Sequence, residues 1–364
     1  MTKLFTTTAV TALLLSACAQ SADKPIDTPE LRQAAAPGIK SYIARVVAGA
    51  TAVKAEPFSE GHMHETWKVT ATVGEKTNAY AFKLFHEAKF AELDSRNYEL
   101  ARRFGWPVPA DVHRGKATPY KDLPAALQEF IPGDSLARAV TARWNAGKNT
   151  PADIAPMYGS LGAVLGEVHK KAVRPRKPGD ISGAAQLLDL ADLCQQFLWC
   201  GPHTQTTFKD IAKTIDGVEV TFVHGDLYET QVIMTPDGKL SKFLDLDEAG
   251  HGDPALDVGY VLAHVLLINP LSRQALWGIP NPGPEEQKAT AEAFLSEYRK
   301  ATGLDGPDWA MFLDRAKAYM RLRVGRLMIK YHNNVHAKPL LDLVDKKKVM
   351  LFVMDPLADL GVQA

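Results

Sequence analysis

Cysteine is scarce in this sequence, and neither sign of charge is in excess. Only three cysteines occur among 364 residues, and the spacing of Cys194 and Cys200 matches no common zinc-binding pattern. They could form a disulfide, but we favour buried thiols. Lysine and arginine together number 42, as do aspartate and glutamate, so no global field attracts the chain to nucleic acid. The composition therefore indicates neither a zinc site nor a nucleic-acid partner.

Long apolar runs are also missing beyond the N-terminus. A membrane-spanning helix needs about 20 consecutive apolar residues, and the longest internal candidate, residues 258–268, is too short. We interpret it as a buried helix. Hydrophobic residues make up 46% of the chain and charged residues 23%, which is typical of globular proteins. At about 150 residues per domain, the length predicts two parts with a sizeable core.

The local pattern changes from strand-like to helix-like near Pro132 and Gly133. Before this point, strand-like runs are separated by turn residues and interrupted by one helical pattern at residues 87–104. After it, helical spacing dominates, and a hairpin is predicted around Pro236-Asp237-Gly238. We predict a linker at residues 21–45, a small antiparallel-sheet lobe with one helix at residues 46–131, and a larger, mainly helical lobe at residues 132–360.

Three acidic motifs in the second lobe carry the strongest chemical signal. They are Val223-His224-Gly225-Asp226-Leu227, then Leu244-Asp245-Leu246-Asp247, and then Gly252-Asp253-Pro254-Ala255-Leu256-Asp257. Together they resemble the aminoglycoside phosphotransferase and choline kinase superfamily, over roughly residues 50–330. The resemblance implies an α+β, protein-kinase-like fold with two lobes. It also implies transfer of the γ-phosphate of ATP to a hydroxyl of a small molecule, with Mg²⁺ as the second cofactor.

The resemblance assigns roles to two aspartates. A carboxylate can accept the proton of an attacking alcohol, and Asp226 matches the base of the family. Hard cations prefer oxygen ligands, and Asp245 matches the principal magnesium ligand. Five positions after the base, the kinase pattern has a metal-binding asparagine, whereas this chain has Gln231. Glutamine keeps the carbonyl oxygen, so we predict that Gln231 is a second metal ligand; the alternative is that this metal position is lost.

The small lobe should supply the residues that hold the nucleotide. Lys83 lies in a strand-like run where the family has the lysine that contacts the phosphates, and its helix partner should be Glu99 or, nearly as plausibly, Glu92. Gly61 lies in the loop expected to cover the phosphates, but an ordinary hairpin with exposed histidines is the stronger interpretation of this segment. Backbone groups of Glu129 and Ile131 are expected to meet the adenine. We interpret Asp253 and Asp257 as structural residues.

Two other functions compete with the kinase hypothesis. A non-catalytic pseudokinase, or a nucleotide- or small-ligand-binding module, would account for Gln231. A metallohydrolase would use a mixed cluster of His224, Asp226, Asp245, Asp247 and His251, but it leaves Lys83 unexplained.

The acceptor is specified only as a hydroxylated small molecule: a sugar, an amino alcohol or an antibiotic. A late basic run would suit an acidic or neutral acceptor, but we interpret it as a solvated helix face; it comprises Arg321, Arg323, Arg326 and Lys330. The oligomeric state is open.

The first twenty residues resemble an export signal. Lys3 precedes an apolar, threonine-rich run that ends in small residues before Cys18, as in a bacterial lipoprotein signal whose cysteine becomes lipidated. A mis-assigned start ahead of a cytosolic protein is the alternative. Localisation is therefore open, because a lipid at Cys18 would anchor an exported protein to the membrane, whereas kinase chemistry needs the ATP of the cytoplasm.

Overall fold

The computed structural model describes residues 29–57, 65–117, 122–171, 173–194, 202–217 and 219–333. The predicted export signal, Cys18 and the predicted loop residue Gly61 lie outside these ranges. Within them, an antiparallel sheet with an attached helix precedes a larger, mainly helical part, as the sequence predicts.

The first part is built on a five-stranded antiparallel sheet with the spatial order β1-β2-β3-β5-β4. Its strands are β1 (Ala50–Pro57), β2 (Glu65–Val73), β3 (Lys76–Leu84), β4 (Asp111–Lys116) and β5 (Pro124–Glu129). Alternate residues of β2 point to opposite faces, so that Trp67, Val69 and Ala71 are buried together. They pack with Phe82 of β3 and Leu127 of β5 in a small core.

The segment predicted as a linker is, in its second half, helix α1 (Pro29–Val46). The prediction of a linker up to residue 45 is therefore wrong for these residues. Ile39, Tyr42 and Ile43 are fully buried, and the Tyr42 ring lies 5.4 Å from the ring of Phe82. Apolar burial against the sheet stabilises this helix despite Pro37 within it.

Helix α2 (Ala88–Arg103) follows β3 and presents a partly polar face to the protein interior. Asp94, Asn97, Tyr98 and Ala101 are its buried residues, and their spacing places them on one side of the helix. Tyr98 and Ala101 pack into the large core of the helical part rather than into the sheet core. The helix thus belongs to the sheet part by sequence and to the helical part by packing.

The helical part surrounds two small three-stranded sheets, ordered β10-β9-β6 and β11-β8-β7. Its strands are β6 (Asp134–Ser135), β7 (Arg174–Pro175), β8 (Glu219–Val223), β9 (Val232–Met234), β10 (Leu240–Phe243) and β11 (Gly250–Gly252). The β9–β10 pair is the hairpin predicted around Pro236-Asp237-Gly238. The helices are α3 (Leu136–Asn145), α4 (Pro151–His169), α5 (Gly183–Cys194), α6 (Pro202–Ala212), α7 (Ala255–Ala263), α8 (Asn269–Trp277), α9 (Pro284–Thr302) and α10 (Gly306–Asn333).

One continuous helical stretch is long and apolar enough, by length and composition, to cross a membrane. It consists of α7, a π-helical segment at His264–Ile268 and α8. Its most apolar window is 83% buried within the protein, as expected of a core helix. Every residue of α7 is buried, which agrees with our interpretation of residues 258–268.

Candidate active site

The loop that carries Asp226 begins where β8 ends and is held by a buried carboxylate. The amides of His224 and Gly225 donate to the two oxygens of Asp257, at 2.7 and 2.9 Å. Gly225 has φ 82°, and a Cβ there would lie 2.1 Å from the carbonyl oxygen of Glu248. Only glycine fits this backbone and this close approach. Asp257 therefore acts as a structural residue that shapes the turn before Asp226.

His224 joins this loop to the segment that carries Asp245. Its Nε2 donates to the carbonyl of Leu244 at 2.8 Å, and its Nδ1 accepts from the amide of Asp226 at 3.4 Å. These two bonds define the ring tautomer, with the hydrogen on Nε2. The two predicted catalytic aspartates are thus on adjacent loops connected through one histidine.

Asp245 has a backbone conformation unlike that of any other non-glycine residue in the described ranges, with φ 58°. Such left-handed residues cost about 1–3 kcal/mol and cluster at functional sites. The amide of Asp245 donates to the hydroxyl of Tyr98 at 3.2 Å, and Gln231 Nε2 donates to its Oδ2, also at 3.2 Å. The strained conformation aims the carboxylate into the space between the two parts of the protein, where 46% of the side chain is exposed.

Lys83 reaches from β3 toward three carboxylates. Its Nζ lies 3.0 Å from Asp94, 3.1 Å from Asp247 and 3.6 Å from Asp245. The predicted partners Glu99 and Glu92 are both wrong, because both are exposed and the buried acid on the inward face of α2 is Asp94. Arg114 of β4 also donates to Asp94, at 2.8 Å.

Neighbouring carboxylates oppose the effect of withdrawing Lys83 from water, and Lys83 in turn opposes this effect at Asp245. Burial alone would lower the pKa of Lys83, but Asp247, Asp94 and Asp245 together raise this pKa well above its ordinary value. Withdrawal from water raises the pKa of the Asp245 carboxyl, and so do Asp247 and Asp226, whereas Lys83 lowers it. Asp245 is thus in contact with Lys83, and His224 joins its loop to that of Asp226.

Asp226 has an arginine partner that the sequence analysis did not predict. Arg323 of α10 donates from Nη1 to Asp226 Oδ1, and the arginine is only 6% exposed. The interpretation of the basic run as a solvated face is therefore wrong at Arg323. Arg326, one turn later, forms an ion pair with Glu248 at 2.8 Å.

The residues predicted to meet adenine lie at the junction of the two parts. Glu129 ends β5, and Ile131 follows shortly before β6. The amide of Glu129 already donates to the carbonyl of Ala110 at 2.9 Å, and its carboxylate accepts from the amide of Ala110 at 3.1 Å. The N–H of Glu129 is therefore engaged within the sheet.

The metallohydrolase alternative finds no support in the geometry. Among the described residues, no group of three or more histidines, cysteines or acids is arranged to hold a metal ion. His224 is engaged with backbone groups on both ring nitrogens. The ring of His251 packs on those of Phe104 and Phe222, with centroids 5.5 and 6.2 Å away.

The fold and the cleft define the class of the protein. An antiparallel sheet supplies a lysine, and a mainly helical part supplies aspartates on two adjacent loops; this is the architecture of kinase-like small-molecule phosphotransferases. The model of the phosphotransferase enzyme family matches residues 54–318, and the chain belongs to this family.

Solved structures share the fold at low sequence identity. A candidate aminoglycoside phosphotransferase from Ralstonia eutropha JMP134 superposes with TM-score 0.58 at 15% identity, over 87% of this chain and 95% of that one. The macrolide 2'-phosphotransferase type I gives 0.52 at 15% identity, over 89% and 98%. Choline kinase from Cryptosporidium parvum Iowa II gives 0.52 at 13% identity, over 94% and 96%. No curated protein matches the sequence significantly.

Two residues of the cleft escaped the sequence interpretation for different reasons. Asp94 shares its helix face with Asn97, Tyr98 and Ala101, so the helical period of buried positions could have distinguished it from the glutamates. Arg323 lies 97 positions from Asp226 in the sequence. No local pattern connects the two.

Proposed function

We propose that this protein is an ATP- and Mg²⁺-dependent kinase that transfers the γ-phosphate to a hydroxyl group of a small molecule. The observation that carries the proposal is the 3.6 Å contact between Lys83 of the sheet and Asp245 of the helical part, with the loop of Asp226 joined to that of Asp245 through His224. A lysine and two aspartates from different parts of the chain suit the binding and transfer of a phosphoryl group.

In the proposed reaction, Asp226 is the base. The acceptor oxygen forms a bond to the γ-phosphorus while the bond from that phosphorus to the β,γ-bridging oxygen breaks. The hydroxyl proton passes to the Asp226 carboxylate, and ADP leaves. An alcohol is a poor nucleophile near neutral pH, so a carboxylate on a rigid loop assists as the new bond forms. Lys83 neutralises charge on the phosphates.

The residues around Asp245 fit a magnesium ion. Mg²⁺ prefers oxygen ligands and is held by one or two protein carboxylates together with phosphate oxygens. Asp245 supplies a carboxylate, and the amide of Gln231 reaches it at 3.2 Å, so the longer side chain extends to the place where the family has asparagine. A rotation of that amide presents its oxygen instead of its nitrogen. When bound, the ion neutralises charge on the phosphates.

The acceptor class rests on the relatives alone. They are named for macrolides, spectinomycin and choline, and sugar hydroxyls, amino alcohols and antibiotics are therefore the acceptors to test. The nucleotide would lie between Lys83 and the segment at Glu129 and Ile131.

A screen of hydroxylated acceptors for ADP release tests the proposal. Asp226→Asn should lower kcat by about 10²–10⁴-fold, the usual contribution of a general base. Asparagine keeps an acceptor oxygen for Arg323, so the fold is maintained while the proton acceptor is lost. Activity that survives in Asp226→Asn would contradict the mechanism.

A non-catalytic nucleotide-binding module is the second candidate, and Gln231 is the observation that favours it. Titration of ATP with and without Mg²⁺ separates the two candidates. Binding without phosphate transfer to any acceptor would favour the module, whereas Mg²⁺-dependent ADP release would exclude it.

The location of the protein is a separate proposal. We propose that Cys18 is a lipidation site in an exported form, which would have to find ATP outside the cytoplasm or act as a binding module. The mass of the mature N-terminus decides this. A mature chain that still begins at Met1 would exclude lipidation at Cys18.

A further inference from the structure

A chain of buried polar contacts leads away from Asp226 into the helical part. Arg323 donates from Nη1 to Asp226, and its Nε and Nη2 lie 3.3 and 3.2 Å from His264 Nε2. On the other side of the ring, His264 Nδ1 lies 3.3 Å from Glu229 Oε2. The histidine, the arginine and the glutamate are 7%, 6% and 3% exposed. A row of three buried side chains therefore leads to the predicted base.

The hydrogen positions along this row follow from the partners. A guanidinium only donates, so His264 Nε2 accepts from Arg323. Nδ1 then carries the ring hydrogen and donates to the carboxylate of Glu229. Burial lowers the pKa of His264 more than Glu229 raises it, which agrees with a neutral ring. At each link one partner donates and the other accepts, and the two bonds from Arg323 to His264 Nε2 fix the direction of the guanidinium.

Glu229 is itself held from two further helices. Tyr158 of α4 donates to its Oε1 at 3.1 Å, and Asn269 of α8 donates to the same oxygen at 2.6 Å. His264 opens the π-helical segment between α7 and α8, and such local widenings of a helix are frequent at functional sites. The far end of the row is therefore anchored in the core.

Two aromatic rings lie close to the guanidinium. The Cζ of Arg323 lies 5.3 Å from the ring centroid of Tyr228 and 4.9 Å from that of Tyr260. Tyr228 also stacks on His264, with ring centroids 4.9 Å apart. A cation close to the faces of aromatic rings is stabilised by their electrons. The guanidinium is thus held by hydrogen bonds and by contacts with two aromatic rings.

We propose that Arg323 is a positioning residue for Asp226, and that His264 and Glu229 fix its guanidinium so that the carboxylate keeps one orientation for phosphoryl transfer. This inference rests on the proposed kinase function. A carboxylate on a loop can rotate about two bonds, whereas one that is bonded to a buried, immobile fork cannot. Small misplacements of a catalytic group cost about 10²-fold in rate.

The first test compares Arg323→Met and Arg323→Lys, using the acceptor with the fastest ADP release, or water if none reacts. Arg323→Met should lower kcat by about 10²-fold, because the fork is lost. Arg323→Lys keeps the charge without the planar fork, so kcat should still fall by about 10-fold. The KM for ATP should change by less than about threefold, because Lys83 and Asp245 are untouched. Wild-type kcat in Arg323→Lys would overturn the positioning role.

A matched control removes a different arginine from the same helix. Arg326→Met breaks an ion pair with Glu248 instead of Asp226, and its kcat should exceed that of Arg323→Met by at least about 10-fold. Equal losses in both variants would attribute the effect to the helix in general and would overturn the proposal.

The second test addresses His264. His264→Gln keeps one donor and one acceptor, whereas His264→Leu keeps neither at similar volume. The kcat of the leucine variant should be lower than that of the glutamine variant by about 10-fold or more. The KM for ATP should change little. Equal kcat values in the two folded variants would show that the histidine does not orient Arg323.

A structural measurement separates this inference from the kinase proposal. In crystals of Arg323→Met, the Asp226 carboxylate should occupy a new or a second orientation. An unchanged carboxylate would overturn the positioning role even in an active kinase. The wild type could also transfer phosphate to no acceptor and not to water, while the carboxylate is displaced in Arg323→Met. This pair of results would refute the kinase proposal but support the positioning of Asp226 by Arg323.

Discussion

Lys83 and Arg323, the two cations of the cleft, have opposite electrostatic surroundings. Lys83 has three carboxylates within 3.6 Å, whereas Arg323 has the carboxylate of Asp226, the neutral ring of His264 and two tyrosine rings. Even with Arg114 donating to Asp94, carboxylates outnumber cations around Lys83, so a further cation is stabilised there. Charge is balanced at Arg323. Under the proposed function, the carboxylates around Lys83 would recruit a metal and a nucleotide, and the contacts of Arg323 would hold the base in place.

The largest effect should come from the metal side. Asp245→Asn should lower kcat by about 10³-fold and weaken the Mg²⁺ dependence of ATP binding, because a charged ligand is lost. Asparagine tolerates the left-handed backbone, so folding is preserved. Calorimetric titration of ATP against Mg²⁺ concentration measures this. Unchanged Mg²⁺ dependence would show that Asp245 is not a metal ligand. It would also contradict the difference inferred between the surroundings of Lys83 and Arg323.

The turn before Asp226 should show the next largest effect, on stability. Gly225→Ala places a methyl group against the Glu248 carbonyl and should lower the free energy of unfolding by about 3 kcal/mol or more. The control Gly278→Ala has a similar φ, 71°, but open space around it, and should lose only about 1 kcal/mol. Urea unfolding of both variants measures the difference, and equal losses would mean that the close approach at Gly225 is unimportant.

The buried acid on α2 should have a moderate effect. Asp94→Asn removes a charge-assisted bond from Lys83 and should weaken ATP binding by about 10-fold. Glu99→Gln is the matched control on an exposed position of the same helix and should bind ATP as the wild type does. The reverse result in nucleotide titrations would restore the original prediction of Glu99 as the partner of Lys83.

The smallest effect is a pH dependence on the base side. The pKa of His264 in the folded protein is below its ordinary value of 6.5, so the unfolded chain binds the proton first as pH falls. Stability is fully present above the unfolded value and declines below it. Between about pH 7 and about pH 5.5, the wild type should lose up to about 1 kcal/mol relative to His264→Gln, the limit reached if the folded protein takes up no proton at His264. Urea unfolding at both pH values measures this. An equal difference in unfolding free energy between the wild type and His264→Gln at the two pH values would contradict the prediction.

The sequence motifs predicted the fold and the site residues that lie in recognisable segments. They did not predict the residues whose contacts depend on tertiary packing. Asp226, Asp245 and Lys83 lie in recognisable motifs or strands. The partner of Lys83 depends on which face of α2 turns inward, and that face is set by packing on the large core. Helix α1 has a composition typical of linkers, and its burial against Phe82 is visible only once the sheet exists. Arg323 looks like a surface charge until its aromatic surroundings are known.

The packing of α2 has a consequence for how the cleft can open. Its apolar side, with Tyr98 and Ala101, belongs to the core of the helical part, and Asn97 donates to the carbonyl of Leu246 at 2.7 Å. The helix is therefore coupled to the loop of Asp245 as well as to the strands. If the two parts separate to release ADP along a plane between α2 and the sheet, the bonds that must yield include those of Lys83 and Arg114 to Asp94 and that of Arg102 to Asp111. The contacts of Lys83 with Asp247 and Asp245 must yield as well.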